Sequence, residues 1–362
     1  MYSESDLEAA VAAGAMSPDA AIRLRNFVAE SRAMPAVDEE HFRLLTGFND
    51  IFVSIAAAIL LVAMGWIGNA IPPQVEVGGP SPFTGLLVAA TAWGLAEFFT
   101  RKRRMALPSI ILLIAFIGGI FGATGFTLVL AIGEETLQNN EPLVALVAAG
   151  AAAVAAAGAW LHWRRFRVPI TVAAGVLALV GLVLALIAYV VGDVPELQNI
   201  LLGFGLALGV GVFLLAMWWD GSDPRRETRR SDVAFWLHLL AAPLIVHPVF
   251  SLLGLNDGHA TTGEAVVVLA VYVALGLTAI AIDRRALLVS ALAYVLWALN
   301  DLFERFGAVE LSFAFTALII GSALLLLSAF WHTARTNVVR ALPGGLQARL
   351  PVLDRVSPLP AS

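Results

Sequence analysis

The sequence predicts an all-α protein: a polytopic transmembrane helix bundle of about ten spans, preceded by a small cytoplasmic N-terminal helical hairpin. Three observations carry that prediction. Of 362 residues, 59% are hydrophobic and only 14% charged, where a soluble domain averages about 45–50% and about 25%. Mean hydropathy is +0.85, which leaves too little polar surface to clothe soluble domains. Apolar stretches long enough to cross a bilayer recur from residue 51 onward, each bounded by turn residues or charge. The same composition argues against a soluble enzyme. The absence of cysteine excludes disulfide frameworks, thiolate metal sites, iron–sulfur clusters and cysteine nucleophiles.

Residues 1–48 have ordinary soluble composition and form the cytoplasmic hairpin and linker. They lack a basic start followed by an apolar core and a small-residue cleavage site, so no signal peptide is expected. Residues 3–13 place Leu7 and Val11 at helical spacing and close at Gly14, a residue that adopts a left-handed cap without steric cost. Ser17 then serves as N-cap, with Pro18 at the first helical position and Asp19 near the positive end of the helix dipole, opening a second helix through Ile22, Leu24 and Phe27. So short a hairpin buries little core, and the expectation is that it packs on a protein partner, on itself in a dimer, or on the membrane face.

The bundle occupies residues 49–332, with spans predicted at 51–71, 82–100, 107–132, 142–163, 168–191, 199–219, 233–253, 265–282, 286–303 and 311–332. Residues 286–303 are the shortest of these and turn polar at Asn300, Asp301, Glu304 and Arg305. Gly118 with Gly122, Gly205 with Gly209, and the alanine run 151–157 supply small faces for close helix packing. Residues 333–362 form a cytoplasmic tail. Its first part continues as a short amphipathic helix with Arg335 and Arg340 on the polar side, against the inner leaflet. Pro343, Gly344, Gly345, Pro351, Pro358 and Pro360 then preclude a long regular element.

Orientation follows from charge, because cytoplasmic loops retain arginine and lysine. Of the 22 basic residues, all but Arg305 fall in alternate segments. The intervening loops carry Glu76, Glu134, Glu135, Glu141, Asp193, Glu196, Asp257 and Glu264. An even number of spans then leaves both termini in the cytoplasm. Trp160, Trp163, Trp218, Trp219, Trp236 and Trp331 fall near the predicted cytoplasmic interface, where an amphipathic ring is best accommodated.

Ionisable residues inside a span are expensive, so each one is a candidate. Glu97 stands one turn before Arg101, and an intrahelical ion pair explains it without further function. Asp50 and Asp283 sit at membrane edges, where contact with water is expected. His162 and His332 lie in tryptophan-bearing stretches at inner helix ends, as interfacial anchors do. The segment 233–253 differs, since it holds His238 and His247 together with Pro243 and Pro248 and is expected to kink. Nine residues at about 100° each put the two histidines on opposite faces, about 13.5 Å apart along the axis. Counted inward from the cytoplasmic edge, His247 lies about 21 Å deep and Asp301 about 22 Å, and Tyr272 reaches the same level from the other side. A layer of His247, Asp301, Tyr272 and Asn300 would hold a titratable pair and hydrogen-bond donors, as a proton relay or polar substrate site requires. His238 and Glu97 rank second. The competing reading is a buried histidine satisfied by a nearby carboxylate, with Asp301 wetted near the outer surface.

Other chemistry finds no motif. There is no G-x-x-x-x-G-K-[ST] loop, H-E-x-x-H helix or G-x-S-x-G elbow. The six histidines are scattered, so no cofactor, metal or catalytic residue is assigned. The runs Arg101–Arg104 and Arg225–Arg230 resemble nucleic-acid patches in composition, but they adjoin spans and read as topology signals or anionic-lipid contacts. The expected partners are the lipid bilayer and a protein at the hairpin, with no nucleic acid.

The hairpin segment from Asp6 through Met16, Ser17 and Pro18, the approach to the first span from Asp38, Glu39 and Glu40 to Asp50, and the closing stretch from Leu311 to Phe330, Trp331 and His332 together resemble a family of predicted bacterial multi-pass membrane proteins of unknown function that carry a short N-terminal helical hairpin. The resemblance implies a bacterial inner-membrane setting and brings no activity or catalytic residue with it. Three functions stay open, a membrane-embedded enzyme being the third. Halves of five spans, 51–191 and 199–332, would have opposite orientation, the symmetry many secondary transporters use. Alternatively, the hairpin and the arginine-rich loops recruit a partner to a membrane scaffold or sensor that transports nothing.

Overall fold

The computed structural model describes residues 11–14, 16–24, 48–75, 79–223, 228–252, 262–285, 287, 292, 296, 312–347 and 350. The chain divides into two compact units, Met1–Arg43 with Asp354–Ser362, and Leu44–Leu353. In the first, Gly14 takes a left-handed φ of +69°, and the Ser17 hydroxyl accepts a hydrogen bond from the Ala20 amide at 3.2 Å. Ser17 thus caps the helix that follows, as serine does where the first helical amides lack partners. The remainder of the expected hairpin lies outside the described residues.

The second unit is helical, with no strand among the described residues. Its helices with described bounds are α1 (Phe48–Asn69), α2 (Pro82–Phe99), α3 (Ala106–Ile132), the short α4 (Glu134–Gln138), α5 (Glu141–Phe166), α6 (Ile170–Val191), α7 (Leu197–Gly221), α8 (Arg229–Leu252), α9 (Thr262–Ile282), α10 (Ser312–Ala329), α11 (Trp331–Ala341) and α12 (Gly344–Gln347). Among the described residues seven helices, α1, α2, α3, α5, α6, α7 and α8, are long and apolar enough to cross a bilayer. An eighth results if α10 and α11, bent by 78°, are taken as one broken span. The expected count of about ten is therefore met only in part: α9 contributes the shorter apolar helix Ala270–Ile282, and the predicted span 286–303 lies almost wholly outside the described residues.

Helix ends fall where local chemistry puts them. Ser81 caps α2 by accepting from the Phe83 amide, with Pro82 at the first position. Asn140 does the same for α5, where Pro142 follows. Gly133 and Gly192, at φ +91° and +75°, terminate α3 and α6. Outward-facing side chains are apolar: Val190 is 80% and Leu325 74% exposed, and with Phe52, Ile55, Ile59 and Leu214 they leave a surface that water would not tolerate but lipid would.

Close packing runs through small residues, in place of a hydrophobic drive between helices in lipid. Gly85 of α2 and Gly119 of α3 bring their backbones into mutual contact, and Gly68 of α1 rests on the backbone of Phe83. The glycine pair expected on α3 is corrected by this geometry. Gly118 faces open space and Gly122 meets only its own helix, whereas Gly119, one residue round, is at the interface. Gly209 behaves as expected and lies against the Leu244 backbone. Ala151, Ala152 and Ala155 of α5 are buried. Four apolar clusters result, one joining α1, α2 and α3, one joining α6, α7 and α8, and two gathered around α8, α9, α10 and α11.

Candidate functional site

Helix α8 runs through both prolines as one helix. Pro248 has no amide hydrogen to donate to the Leu244 carbonyl four residues earlier. That carbonyl instead abuts Gly209 of α7, close enough that a Cβ at Gly209 would fall 2.7 Å from it, and Gly205, one turn away, faces the Pro248 ring. Glycine on α7 therefore answers proline on α8. Beside this seam lies a cleft of about 470 Å³, within the range that holds a small molecule. Its walls are Leu184 of α6, Leu197, Gln198, Leu201, Leu202 and Gly205 of α7, and Pro243, Leu244, His247 and Pro248 of α8. Among the described residues of its lining, only His247 and Gln198 bring side-chain nitrogen or oxygen to otherwise aliphatic walls. Pro243 and His247 are exposed, so the cleft is open.

The sequence-predicted residues are distributed as follows. His247 is in the cleft. Tyr272 of α9 is half-buried and packs against the Val246, Phe250 and Ile320 cluster, and it is not among the cleft walls. Asn300 and Asp301 lie outside the described residues. Glu97 accepts from Arg101 at 3.1 Å, the intrahelical pair expected, and also from Arg165 of α5 at 2.6 and 2.9 Å. His238 is fully buried, its Nε2 3.4 Å from the Asp220 carboxylate and its ring 5.4 Å from that of Phe213.

Around Asp220 the structure assembles a buried ionic cluster. Arg284, just beyond α9, donates from Nε to Oδ2 at 3.0 Å and from Nη2 to Oδ1 at 2.5 Å, and its Nη2 also reaches the Ser231 carbonyl at 3.2 Å. Asp220 and Arg284 are 3% and 2% exposed. Beside them Asp283, at φ +57°, accepts from Trp331 Nε1 at 2.7 Å and faces Arg335 Nη1 at 3.9 Å, while the Arg285 guanidinium stacks 4.9 Å over the Trp331 ring. Asp223 accepts from the Thr228 amide and hydroxyl at 2.9 and 2.7 Å.

Several expectations are corrected here. Asp283 and Asp50 are buried rather than wetted. Arg335 does not lie on an exposed polar face: it is 3% exposed, with its Nη1 3.9 Å from Asp283 Oδ2. His162 is no interfacial anchor. It is 1% exposed, bonded through Nδ1 to the Thr171 hydroxyl at 3.1 Å and enclosed by Trp93, Phe116 and Phe166 at ring distances of 6.1, 5.7 and 4.6 Å. Asp220 and Arg284 were missed as candidates because each sits at a helix end among ordinary loop charges. A signal was present, since Asp220 and Asp223 stand beside the arginine run 225–230 and Asp283 stands beside Arg284, carboxylates at predicted helix ends with cations close by.

Among the described residues, no group of three His, Asp or Glu side chains converges on a site that could hold a metal ion. Compared with known proteins, the chain matches no protein family, no curated protein and no solved structure.

Proposed function

We propose that this chain is a multi-pass protein of the bacterial inner membrane, with both termini in the cytoplasm, and that it is a secondary transporter for a small, largely apolar molecule held in the cleft between α6, α7 and α8. The membrane setting is supported by seven apolar helices of spanning length and by their apolar outer surface. The observation that carries the binding role is the cleft itself: a wall of leucine and proline interrupted by His247 and Gln198, two side chains able to fix the polar end of an apolar ligand. Proline on α8 and glycine on α7 line the same seam, where the Leu244 carbonyl lacks the amide partner that residue 248 would otherwise supply. The arginine-side loops carry one end of these helices, so on this reading the cleft opens in the outer half of the membrane. By sequence count Asp301 and Asn300 match His247 in depth, which makes them the candidates to extend its polar contact with a ligand.

The test is a thermal-shift screen of the purified chain in detergent against small apolar acids, amines and alcohols, followed by flux of the hits into proteoliposomes. Stabilisation and flux that weaken at least tenfold in His247→Ala support the reading, and Asp301→Asn tests the remainder of the layer. Hits that bind His247→Ala and the parent alike would sink it. A second reading, a non-transporting scaffold or sensor engaging a partner through the hairpin, is favoured by the buried Asp220–Arg284 pair, which clamps helices that a carrier has to move. Retention of a partner after deletion of residues 1–35 would count against that reading.

A further inference from the structure

Two arginine runs distant in the chain meet at one carboxylate. Glu97 of α2 accepts from Arg101 at 3.1 Å and from Arg165 of α5 at 2.6 and 2.9 Å, which staples the turn between α2 and α3 to the end of α5. Segments 97–104 and 160–167 together hold seven basic residues and a single acidic one, Glu97. All seven basic residues are exposed. Retention of arginine on one side of a membrane asks only that these residues stay on that side. It does not ask that the two runs converge, and like charges brought together repel unless an anion lies among them.

The cations are also seated over aromatic rings. Arg164 lies 4.7 Å over Trp160, Arg167 5.6 Å over Trp163, and Arg103 5.5 Å over Phe98. None of these three has an acidic partner among the described residues, since Glu97 is taken by Arg101 and Arg165. A guanidinium against a ring face keeps its N–H donors in its own plane, where a phosphate can take two of them. Arg104 and Arg167 stand at φ +53° and +56°, a left-handed backbone that glycine adopts without steric cost; the chain keeps a cation at both positions. From Arg164 the outward side of α5 runs back through Trp160, Ala157 and Ala153, all exposed and within about 60° of one another around the axis. Alanine there leaves room for a hydrocarbon chain in line with the Trp160 ring.

We propose that the α2–α3 turn and the end of α5 form a binding site for a phospholipid of net negative charge, its headgroup among Arg103, Arg164 and Arg167 and an acyl chain along Trp160, Ala157 and Ala153. Charge decides the class of lipid. A zwitterionic headgroup carries its own cation, and the one carboxylate of these segments is already bonded to two guanidiniums, so that cation meets arginine in place of a partner. An anionic headgroup brings no such cation, and its charge offsets the crowded arginines. A free phosphate ion would satisfy the same donors but has nothing to lay along the apolar path beside them. The site rests on the membrane setting proposed above and takes nothing from the transport reading.

The test places the full chain in vesicles of phosphatidylglycerol and phosphatidylcholine in equal parts, with brominated acyl chains, which quench tryptophan on contact, carried by one lipid or by the other. The Trp160 signal is the emission missing from Trp160→Phe. Brominated phosphatidylglycerol is expected to quench it more than brominated phosphatidylcholine does, by roughly twofold or more. That preference should disappear when Arg103→Gln, Arg164→Gln and Arg167→Gln are combined. It should persist in Arg229→Gln with Arg230→Gln, which removes two exposed cations elsewhere on the arginine side. Should the triple variant not fold, Arg164→Gln alone carries the comparison and is expected to lose about half of the preference. Equal quenching by the two lipids in the parent, or a preference that survives loss of these arginines, overturns the proposal. Inorganic phosphate, added against chloride of the same ionic strength, should leave the preference intact; its abolition would mark a free-anion site and overturn the lipid assignment. Quenching by neither lipid would take Trp160 out of the bilayer and overturn the membrane setting itself, a failure distinct from quenching without preference.

Discussion

Asp220 of α7 and Arg284 beyond α9, 64 residues apart in the chain, meet as a bidentate ion pair with almost no exposure to solvent. Removing one member of such a pair leaves the other charge buried, which is far costlier than losing the pair as a whole. Arg284→Gln is therefore expected to lower stability by about 3–5 kcal/mol, and Asp220→Asn by a comparable amount. The double variant should lose markedly less than the sum of the two. Unfolding midpoints in detergent for the parent, both single variants and the double variant close the cycle. Additive losses would mean that the two residues are not coupled.

Glycine on α7 is needed at one position and idle at another two residues on. A methyl group at Gly209 would press on the Leu244 carbonyl, whereas one at Gly211 would meet nothing within 4 Å. Gly209→Ala is expected to cost roughly 1–3 kcal/mol, the usual penalty of overpacking a tight contact. Gly211→Ala should leave the melting temperature unchanged or slightly raised. Equal behaviour of the two variants would refute the seam between Gly209 and Leu244.

The helices were legible because their limits are local. The predicted ends at residues 132 and 191 coincide with α3 and α6, where the next residue is a glycine at positive φ, and the predicted start at Pro82 follows a serine cap. What escaped depends on residues distant in sequence. Arg335 was read onto a polar face because its neighbours are amphipathic, yet its burial is decided by Asp283, which belongs to another part of the chain. Counting turns predicted how deep His247 lies along its helix, but the direction in which it faces came only from packing: His247 opens on the cleft, while its neighbour Val246 packs with Tyr272. The choice between Gly118 and Gly119 likewise turned on about 100° of helix rotation.

Trp331 holds the start of α11 by donating from its indole nitrogen to Asp283 at 2.7 Å. Trp331→Phe keeps most of the apolar contact and removes the bond, for an expected cost of about 1 kcal/mol. Asp283→Ala withdraws the acceptor from Trp331 and the carboxylate from Arg335, and should cost about 2–3 kcal/mol. Arg335 is 3% exposed in the native structure, so release of α11 in Asp283→Ala should also speed tryptic cleavage after Arg335. Cleavage at the parent rate would show that α11 is anchored by other contacts.

The absence of cysteine makes every introduced cysteine a unique reporter of the side it faces. Arg103, Arg164 and Arg230 are exposed at the arginine-bearing ends, and Glu135 and Asp193 are exposed in the loops between them. One spanning helix separates each from the next in chain order: α3 from Arg103 to Glu135, α5 to Arg164, α6 to Asp193 and α7 to Arg230. If those helices each cross the bilayer once, labelling must alternate along the series, and retention of arginine in the cytoplasm sets its sign. A membrane-impermeant maleimide applied to sealed inverted vesicles is expected to modify Arg103→Cys, Arg164→Cys and Arg230→Cys and to spare Glu135→Cys and Asp193→Cys until detergent is added. The reverse pattern would invert the topology while keeping the helix path. Labelling that fails to alternate would mean that one of these four helices does not cross the membrane.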